Sequence, residues 1–454
     1  QSGDRSPQDH QELIDEILHD QSWIQISESS SILDKLPAEI LHQVLSYLSA
    51  RDLARVSVTC RLLAEHCNDD RLWAALVNSH LPTPIDDPGL FSSYRHLYLT
   101  HISYWFIPQH KIWFADNEHT GNLILARYDN RRGVIEGYRV VADRGNPSLQ
   151  IWQSNPDVMI QSFDPKVRLW LDDPVLLLKE KDEDTKGPTA TPQTWMLERQ
   201  MPMPAEAQHV YSSLILCPKE PREPEEHEKD TWQEQLWPPP LIPSDHHTQR
   251  DLSTNQIIPP KCSSQASEFA FRIRRWANFR LVLSLGHNEA MTTYSTLDPK
   301  FYLPTKEKPY QGIWVGDYSA HGCEFLLFIQ RDPEGAVDAE DPEETENDPD
   351  SVVHKGSLEA IKLTGDPNVP RGEVSFVAAD IGPKGLVRVD SNEPFENARI
   401  VHCSGHVAGI GFQDDSFNPS QLVLISPDFI AHYWEVMGHV SYYRRVDIDS
   451  LIQT

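Results

Sequence analysis

The residues whose types and spacing suggest chemistry first are thiols close to imidazoles. His321-Gly-Cys323 and Cys403-Ser-Gly-His406 each place a nucleophile within three residues of a base, and an imidazole can activate a thiol for acyl transfer. His321 and Cys323 share a face only where the backbone is extended, and no third group nearby in sequence orients the base. Cys323 opens a long apolar run, so core packing is the simpler account of it and of Cys403. A metal bound by His321, His402 and His406 would need separate loops to converge. No Walker A loop, dinucleotide glycine fingerprint, G-x-S-x-G elbow or H-E-x-x-H helix occurs. The expectation is a protein with no catalytic residues of its own, no metal and no cofactor. A different constellation remains. Gly316, Gly322, Gly365, Gly409 and Gly411 stand beside Tyr318, His321, Glu324, Lys362, Thr364, Asp366 and Asn368. Glycines at strand ends let a ligand backbone come close, and the polar side chains supply hydrogen bonds. The plain alternative for Asp366-Pro-Asn368 is a structural turn, which Asp and Asn favour anyway.

These residues need strands to position them. From about residue 100 the pattern is of short apolar or alternating runs between turn signals: Tyr104–Ile107, Ile112–Phe114, Leu123–Leu125, Tyr138–Val141, Ile151-Trp152, Val167–Leu171 and Val175–Leu178. After Glu268–Leu285, read as a helix carrying Phe269, Phe271, Trp276 and Phe279, the runs resume. They lie at Gly312–Val315, Glu324–Ile329, Leu358–Leu363, Val374–Val377, Ala398–Val401, Val407–Phe412, Leu422–Ile425 and Ala431–Val436. Roughly ten to twelve short strands at such spacing predict a closed or nearly closed antiparallel barrel, able to hold one ligand in its mouth.

Before residue 80 the period is helical. Pro37 starts a helix in which Ile40, Leu41, Val44, Leu45 and Leu48 form one apolar stripe, and Leu53, Val56 and Val58 open the next. These helices carry more apolar surface than they can bury among themselves, which fits a partner interface.

The whole chain bounds the rest. In 454 residues, 40 Lys and Arg face 68 Asp and Glu, a net charge of −28, which argues against nucleic acid or an anionic membrane as partner. The one basic cluster is Arg272, Arg274, Arg275 and Arg280. No apolar run is long enough for a transmembrane helix, and the acidic, amphipathic first 30 residues do not read as a signal peptide. Six scattered cysteines without a C-x-x-C pair point to a reducing compartment, nucleus or cytoplasm. Lys219–Pro243, with Trp232, Leu236 and Trp237, and Arg331–Ser351, with ten acids and one base, read as solvated loops.

Leu36-Pro-Ala-Glu-Ile-Leu-His-Gln-Val-Leu-Ser-Tyr-Leu48, then Asp52-Leu-Ala-Arg-Val-Ser-Val-Thr-Cys-Arg61 and Arg71-Leu-Trp73, resemble an F-box. The resemblance implies that Leu36, Pro37, Ile40, Leu41, Val44, Leu45, Leu48, Leu53, Val56 and Trp73 bind the Skp adaptor, and through it the cullin and RING subunits of a ubiquitin ligase. Three later stretches resemble the F-box only protein 31, or cyclin-D-binding domain, family: Gly316–Glu324, Lys362–Gly372 and Ala408–Phe412 with the aromatic strand through Trp434. A weaker similarity, to fungal-type members, covers Trp105–Val141. This family implies capture of the C-terminal ends of substrate proteins in the barrel, amidated or otherwise modified ends included, with Asp366 as the acceptor that tells an amide from a carboxylate. The sequence departs from the animal members in lacking Cys and His between Tyr128 and Leu178, so no zinc site is expected there.

The resulting fold is α+β: an N-terminal acidic segment (1–30), an F-box (31–80), a linker or helix (81–100) and a large antiparallel barrel-like domain. The barrel residues fall in 101–218, 263–330 and 352–454, interrupted by an acidic and Pro-rich loop (219–262) and an acidic loop (331–351). The function that follows is substrate recognition in a Skp adaptor–cullin–F-box ligase, leading to ubiquitin-dependent degradation. The alternatives are a small-molecule-binding barrel and a scaffold held on the Skp adaptor alone.

Overall fold

The computed structural model describes residues 35–117, 119–180, 198–201, 210–218, 265–277, 289–333 and 353–453. The readings of the N-terminal acidic segment, of the loop over 219–262 and of nearly all the acidic loop lie outside those residues, as does Arg280. The chain divides into two compact units, one built from residues up to 77 together with 93–98, the other from 78–92 and 99–454.

The first unit rests on short helices: α1 (Ala38–Leu45), α2 (Ala50–Ser57), α3 (Arg61–Cys67), α4 (Asp70–Ser79) and the start of α5 (Tyr94–Thr100). Pro37 stands immediately before α1, where its carbonyl accepts from the Ile40 and Leu41 amides. Ser49 caps α2 by accepting from the Asp52 amide and donating to its carboxylate. Leu41, Leu45, Leu53, Cys67, Leu72, Trp73 and Val77 are buried, and Trp73 Nε1 donates to the Cys67 carbonyl at 2.8 Å.

The second unit is β-rich, with helices α6 (Phe106–His110) and α7 (Ile448–Ile452). Its first strands are β1 (Ile112–Ala115), β2 (Leu123–Asp129), β3 (Val134–Asp143), β4 (Leu149–Ile151), β5 (Met159–Gln161), β6 (Lys166–Leu169) and β7 (Leu176–Leu178). Next come β8 (Glu198–Met201), β9 (Val210–Pro218), β10 (Ala266–Ala277) and β11 (Glu289–Ser295). Then follow β12 (Gly312–Asp317), β13 (Cys323–Arg331), β14 (Ser357–Lys362), β15 (Val374–Ala378) and β16 (Leu386–Val389). The last four are β17 (Arg399–Gly409), β18 (Gln413–Ser426), β19 (Phe429–Trp434) and β20 (His439–Arg445).

Among the described residues these strands form two large antiparallel sheets and the small β4–β5 ribbon, where a single barrel was expected. One sheet runs β6-β3-β2-β1-β11-β10-β9-β8, with β7 beside β3. The other runs β15-β14-β13-β12-β20-β19-β18-β17-β16, and β15 also pairs with β17 through Phe376↔Gly405 and Val377↔Ser404. That extra pairing closes a barrel of eight strands and leaves β16 on the outside of the ring.

The helix expected over Glu268–Leu285 is a strand as far as Ala277; residues beyond lie outside the described set. Phe271 and Ile273 are buried and alternate with Arg272 and Arg274, a period of two, and both edges of β10 are paired, to β9 and β11. Tertiary pairing outweighs the helical spacing of the aromatics.

Alternation along the barrel strands builds two cores. Trp314, Leu326, Phe328, Leu358, Ala360, Phe376, Leu422, Ile430 and Tyr443 fill the interior, with the Trp314 and Phe328 rings stacked at 4.6 Å. Ile313, Val315, Phe325, Leu327, Ile361 and Val423 face outward and join Ile112, Phe114, Leu123, Leu125, Tyr138 and Val140 of the other sheet.

Candidate functional site

One end of the barrel is polar. There β12 ends, β13 begins, β14 ends and β15 begins, and the three motif stretches converge. Lys362 continues the inward row of Leu358 and Ala360, so its ammonium is delivered to the barrel mouth. It is fully buried, 2.8 Å from Glu324 Oε2 and 2.6 Å from Asp366 Oδ2, and lies 4.3 Å from the centre of the Tyr318 ring. Tyr318 Oη stands 2.5 Å from Ser375 Oγ, and Tyr443 Oη donates to it at 3.4 Å. Gly316 is required here: a Cβ on it would sit 2.5 Å from the Tyr443 ring.

The two acids differ. Asp366 Oδ1 accepts from the Asn368 and Val369 amides at 2.7 and 2.9 Å while Oδ2 meets Lys362, so both its oxygens are engaged. Burial pushes its carboxyl up, but the Lys362 ammonium and these hydrogen bonds outweigh that and hold it at about 2. Glu324 meets Lys362 through Oε2 and shares a side-chain hydrogen bond with Asp366, while no described donor reaches Oε1. Burial, helped by the charge of Asp366 and the hydrogen bond to it, drives its carboxyl up to about 8 against the pull of Lys362. Near neutrality Glu324 therefore keeps a proton, and the three side chains sum to zero charge.

The other motif residues tie the mouth together. Thr364 Oγ1 accepts from the Phe325 amide at 2.8 Å, Asn368 Nδ2 donates to the Ala408 carbonyl at 2.9 Å, and the Gly411 amide donates to the Pro367 carbonyl at 2.8 Å. The Gly365 amide donates to the Thr120 carbonyl, and a Cβ on Gly365 would lie 2.3 Å from the Arg371 nitrogen. The Arg371 guanidinium, fully buried, donates to the Asp116 and Asn117 carbonyls. The Thr-Gly-Asp-Pro-Asn stretch is thus a strap between barrel and neighbouring sheet as well as one wall of the mouth. His321 is exposed, Gly322 half-buried and Gly409 exposed.

His432, Ser375 and Tyr443 at this end escaped the sequence reading, and Trp434 entered it only as the end of an aromatic strand. His432 is buried with Nε2 2.8 Å from Ser420 Oγ, Nδ1 without a described partner, and its basicity pulled down to about 3 by burial. Trp434 covers Gly405, where a Cβ would meet the indole at 2.3 Å, and donates to Ser441 Oγ. Ser375 and Tyr443 complete the wall. The only sequence signal for them is alternation with Phe376, Ile430 and Ala431 along their strands.

The nucleophile candidates are not poised for catalysis. Burial pushes the Cys323 thiol up to about 11 and Cys403 to about 12. His406 holds Val374 and Asp415 instead, and no group of three or more metal-ligating side chains assembles among the described residues.

In the helical unit the ten candidate adaptor residues divide. Leu36, Pro37, Ile40 and Val44 are exposed; Leu48 and Val56 are half-buried; Leu41, Leu45, Leu53 and Trp73 are interior. Tyr47 and Val58, at 80% and 84% exposure, add apolar surface that the stripe did not include.

Comparison with known families gives two matches: residues 33–79 fit the F-box-like model, and residues 294–450 fit the Cyclin D1 binding domain. The chain has an F-box only protein 31-like architecture. Its F-box-like module gives it the general role of a substrate receptor in a Skp adaptor–cullin–F-box ligase, with the Skp adaptor as partner. F-box proteins are typically non-catalytic adaptors in such complexes. The Cyclin D1 binding domain match, residues 294–450, spans the strands of the closed barrel and its polar mouth.

Proposed function

We propose that the barrel mouth captures the C-terminal end of a substrate protein, which the F-box-like module brings to the ubiquitin ligase. The observation that carries this is Glu324, a buried carboxyl with an oxygen that no described donor meets, beside an ammonium already shared with Asp366. Below it the barrel is filled by Trp314, Phe328, Phe376 and Tyr443, so a ligand enters only with its end. That favours a chain terminus over an enclosed metabolite.

The same chemistry favours an amidated end. A terminal amide offers an N–H donor to the unmet Glu324 oxygen, whereas a free carboxylate has no N–H to offer and would face the charged Asp366, whose ammonium is already shared. Asp366, whose oxygens are engaged, positions Lys362 and the 366–369 turn, and Glu324 takes the reading role first assigned to Asp366. The test is binding of matched peptides ending in amide or acid to the full chain with its Skp adaptor. The amide form is expected to bind roughly tenfold tighter or more, about the effect of one lost hydrogen bond. Equal affinity for both forms would end the amide reading, and no binding of either would end terminus capture.

A further inference from the structure

The strand register leaves one barrel edge open at this same end. The β17–β18 hairpin pairs from Arg399↔Leu424 out to Gly409↔Gln413, but β18 pairs with β19 only from Gln421↔Tyr433 to Ser426↔Phe429. β19 stops at Trp434 and the chain turns back through Glu435–Gly438 into β20. Over residues 413–419, no described strand pairs with the β18 edge on the β19 side. Asp414 has a positive φ and the register with β17 shifts beside it, so the regular part of this overhang is residues 416–419, about 13 Å of strand.

This overhang is held in place and joined to the candidate site. His406 stacks on Phe417 at 4.3 Å and 12°, and its ring bonds both the Val374 carbonyl and Asp415. Asn368 and Pro367 of the mouth strap bond Ala408 and Gly411 at the hairpin's end. Phe417, Val436 and Met437 are exposed apolar side chains along the edge and on the turn where β19 ends.

Charge selects the occupant. From Ile400 to Tyr443 the sequence has no Lys or Arg, and Asp414, Asp415 and Glu435 border the edge. A second copy laid edge to edge would oppose acid to acid, and Pro419 at the inner end further blunts self-pairing. A basic or neutral strand with apolar side chains escapes the charge obstacle, and it need not pair at Pro419.

We propose that β18 residues 413–419 template a strand formed by the substrate segment just before the captured terminus. This rests on the terminus-capture reading and adds to it a substrate class: a short extended tail, basic and apolar, free of proline. β18 runs from the hairpin's end toward the barrel, so a tail whose C-terminus enters the mouth lies parallel to it. Backbone hydrogen bonds supply affinity with little regard to sequence, and charge supplies selection.

The experiment uses the full chain with its Skp adaptor and three probes: an amidated octapeptide alternating lysine with valine, its terminal dipeptide amide, and octapeptides N-methylated at single successive positions. Affinity is measured together with backbone hydrogen exchange over 413–419. The octapeptide is expected to bind at least tenfold tighter than the dipeptide amide and to protect 413–419. N-methylation at alternate positions removes that gain, while the intervening positions tolerate it. Asp414→Lys, at an exposed site, weakens the octapeptide severalfold and leaves the dipeptide amide unchanged. Equal affinity of octapeptide and dipeptide amide, without protection of 413–419, overturns the strand and leaves terminus capture standing. If neither probe binds, the reading beneath it fails and the proposal with it. Protection of 413–419 that rises with protein concentration alone, with dimers in native mass spectra, gives the edge to a second copy and also overturns it.

Discussion

Lys362 is the ammonium shared by two buried carboxyls, and its removal has a definite cost. Lys362→Met leaves Asp366 buried and charged without its partner, with an expected loss of about 3–5 kcal/mol in denaturant unfolding; a loss below about 1 kcal/mol would mean that water reaches the cluster. The two acids also give opposite pH slopes. Asp366, held at about 2, contributes stability that is present above its ordinary value near 3.8 and is lost as pH falls toward 2. Glu324, raised from 4.5 to about 8, contributes stability that is complete below 4.5 and is lost as pH rises to 8. Glu324→Gln should therefore flatten the decline of stability between pH 5 and 8, and an unchanged slope would show that the carboxyl is solvated. The turn at Asp366 was legible, because an Asp followed by Pro-Asn bonds its own backbone two and three residues on. Its engagement with Lys362 was not, since which way Lys362 points depends on the register of β14.

At the scale of elements, the barrel mouth depends on two close approaches of backbone to ring. A methyl group at Gly405 would occupy the Trp434 indole, so Gly405→Ala is expected to displace Trp434, change its near-ultraviolet circular dichroism and cost about 1–3 kcal/mol. A spectrum identical to the parent would place the indole elsewhere. The helices of the first unit separate stability from binding. Leu45→Ala, in the interior, is expected to cost about 2–5 kcal/mol in thermal or denaturant unfolding. Ile40 and Val44, exposed on α1, are the positions to test for the adaptor: Ile40→Asp with Val44→Asp should abolish co-purification with the Skp adaptor while unfolding stays within about 0.5 kcal/mol of the parent. Retained co-purification would move the interface off this stripe. The stripe itself was legible from its spacing. Its division into interior and exposed halves was not, because that depends on which neighbouring helices cover it. The strand β10 was misread for a related reason: Phe269, Trp276 and Phe279 fit a helical spacing while Phe269, Phe271 and Phe279 fit an alternating one, and only neighbours on both sides decide between them.

The whole molecule carries one strong field. With a net charge of −28, association with a basic tail should weaken steeply with salt, and the octapeptide of lysine and valine should lose affinity between 50 and 300 mM salt more than its dipeptide amide does. Short strands and turn residues made a β domain legible, yet nothing local told one barrel from two sheets. That distinction lies in pairings such as β1 with β11 and β15 with β17, between residues far apart in sequence. The closing of the ring has a further consequence, for synthesis. β12 lies between β13 and β20, pairing Trp314 with Leu326 on one side and with Arg445 on the other. Until the ribosome has released Arg445, one margin of β12 has no partner and the nascent sheet is open beside its most apolar strands. Such a barrel matures late and all at once, and it depends during that interval on protection from chaperones more than a domain closed by local contacts would.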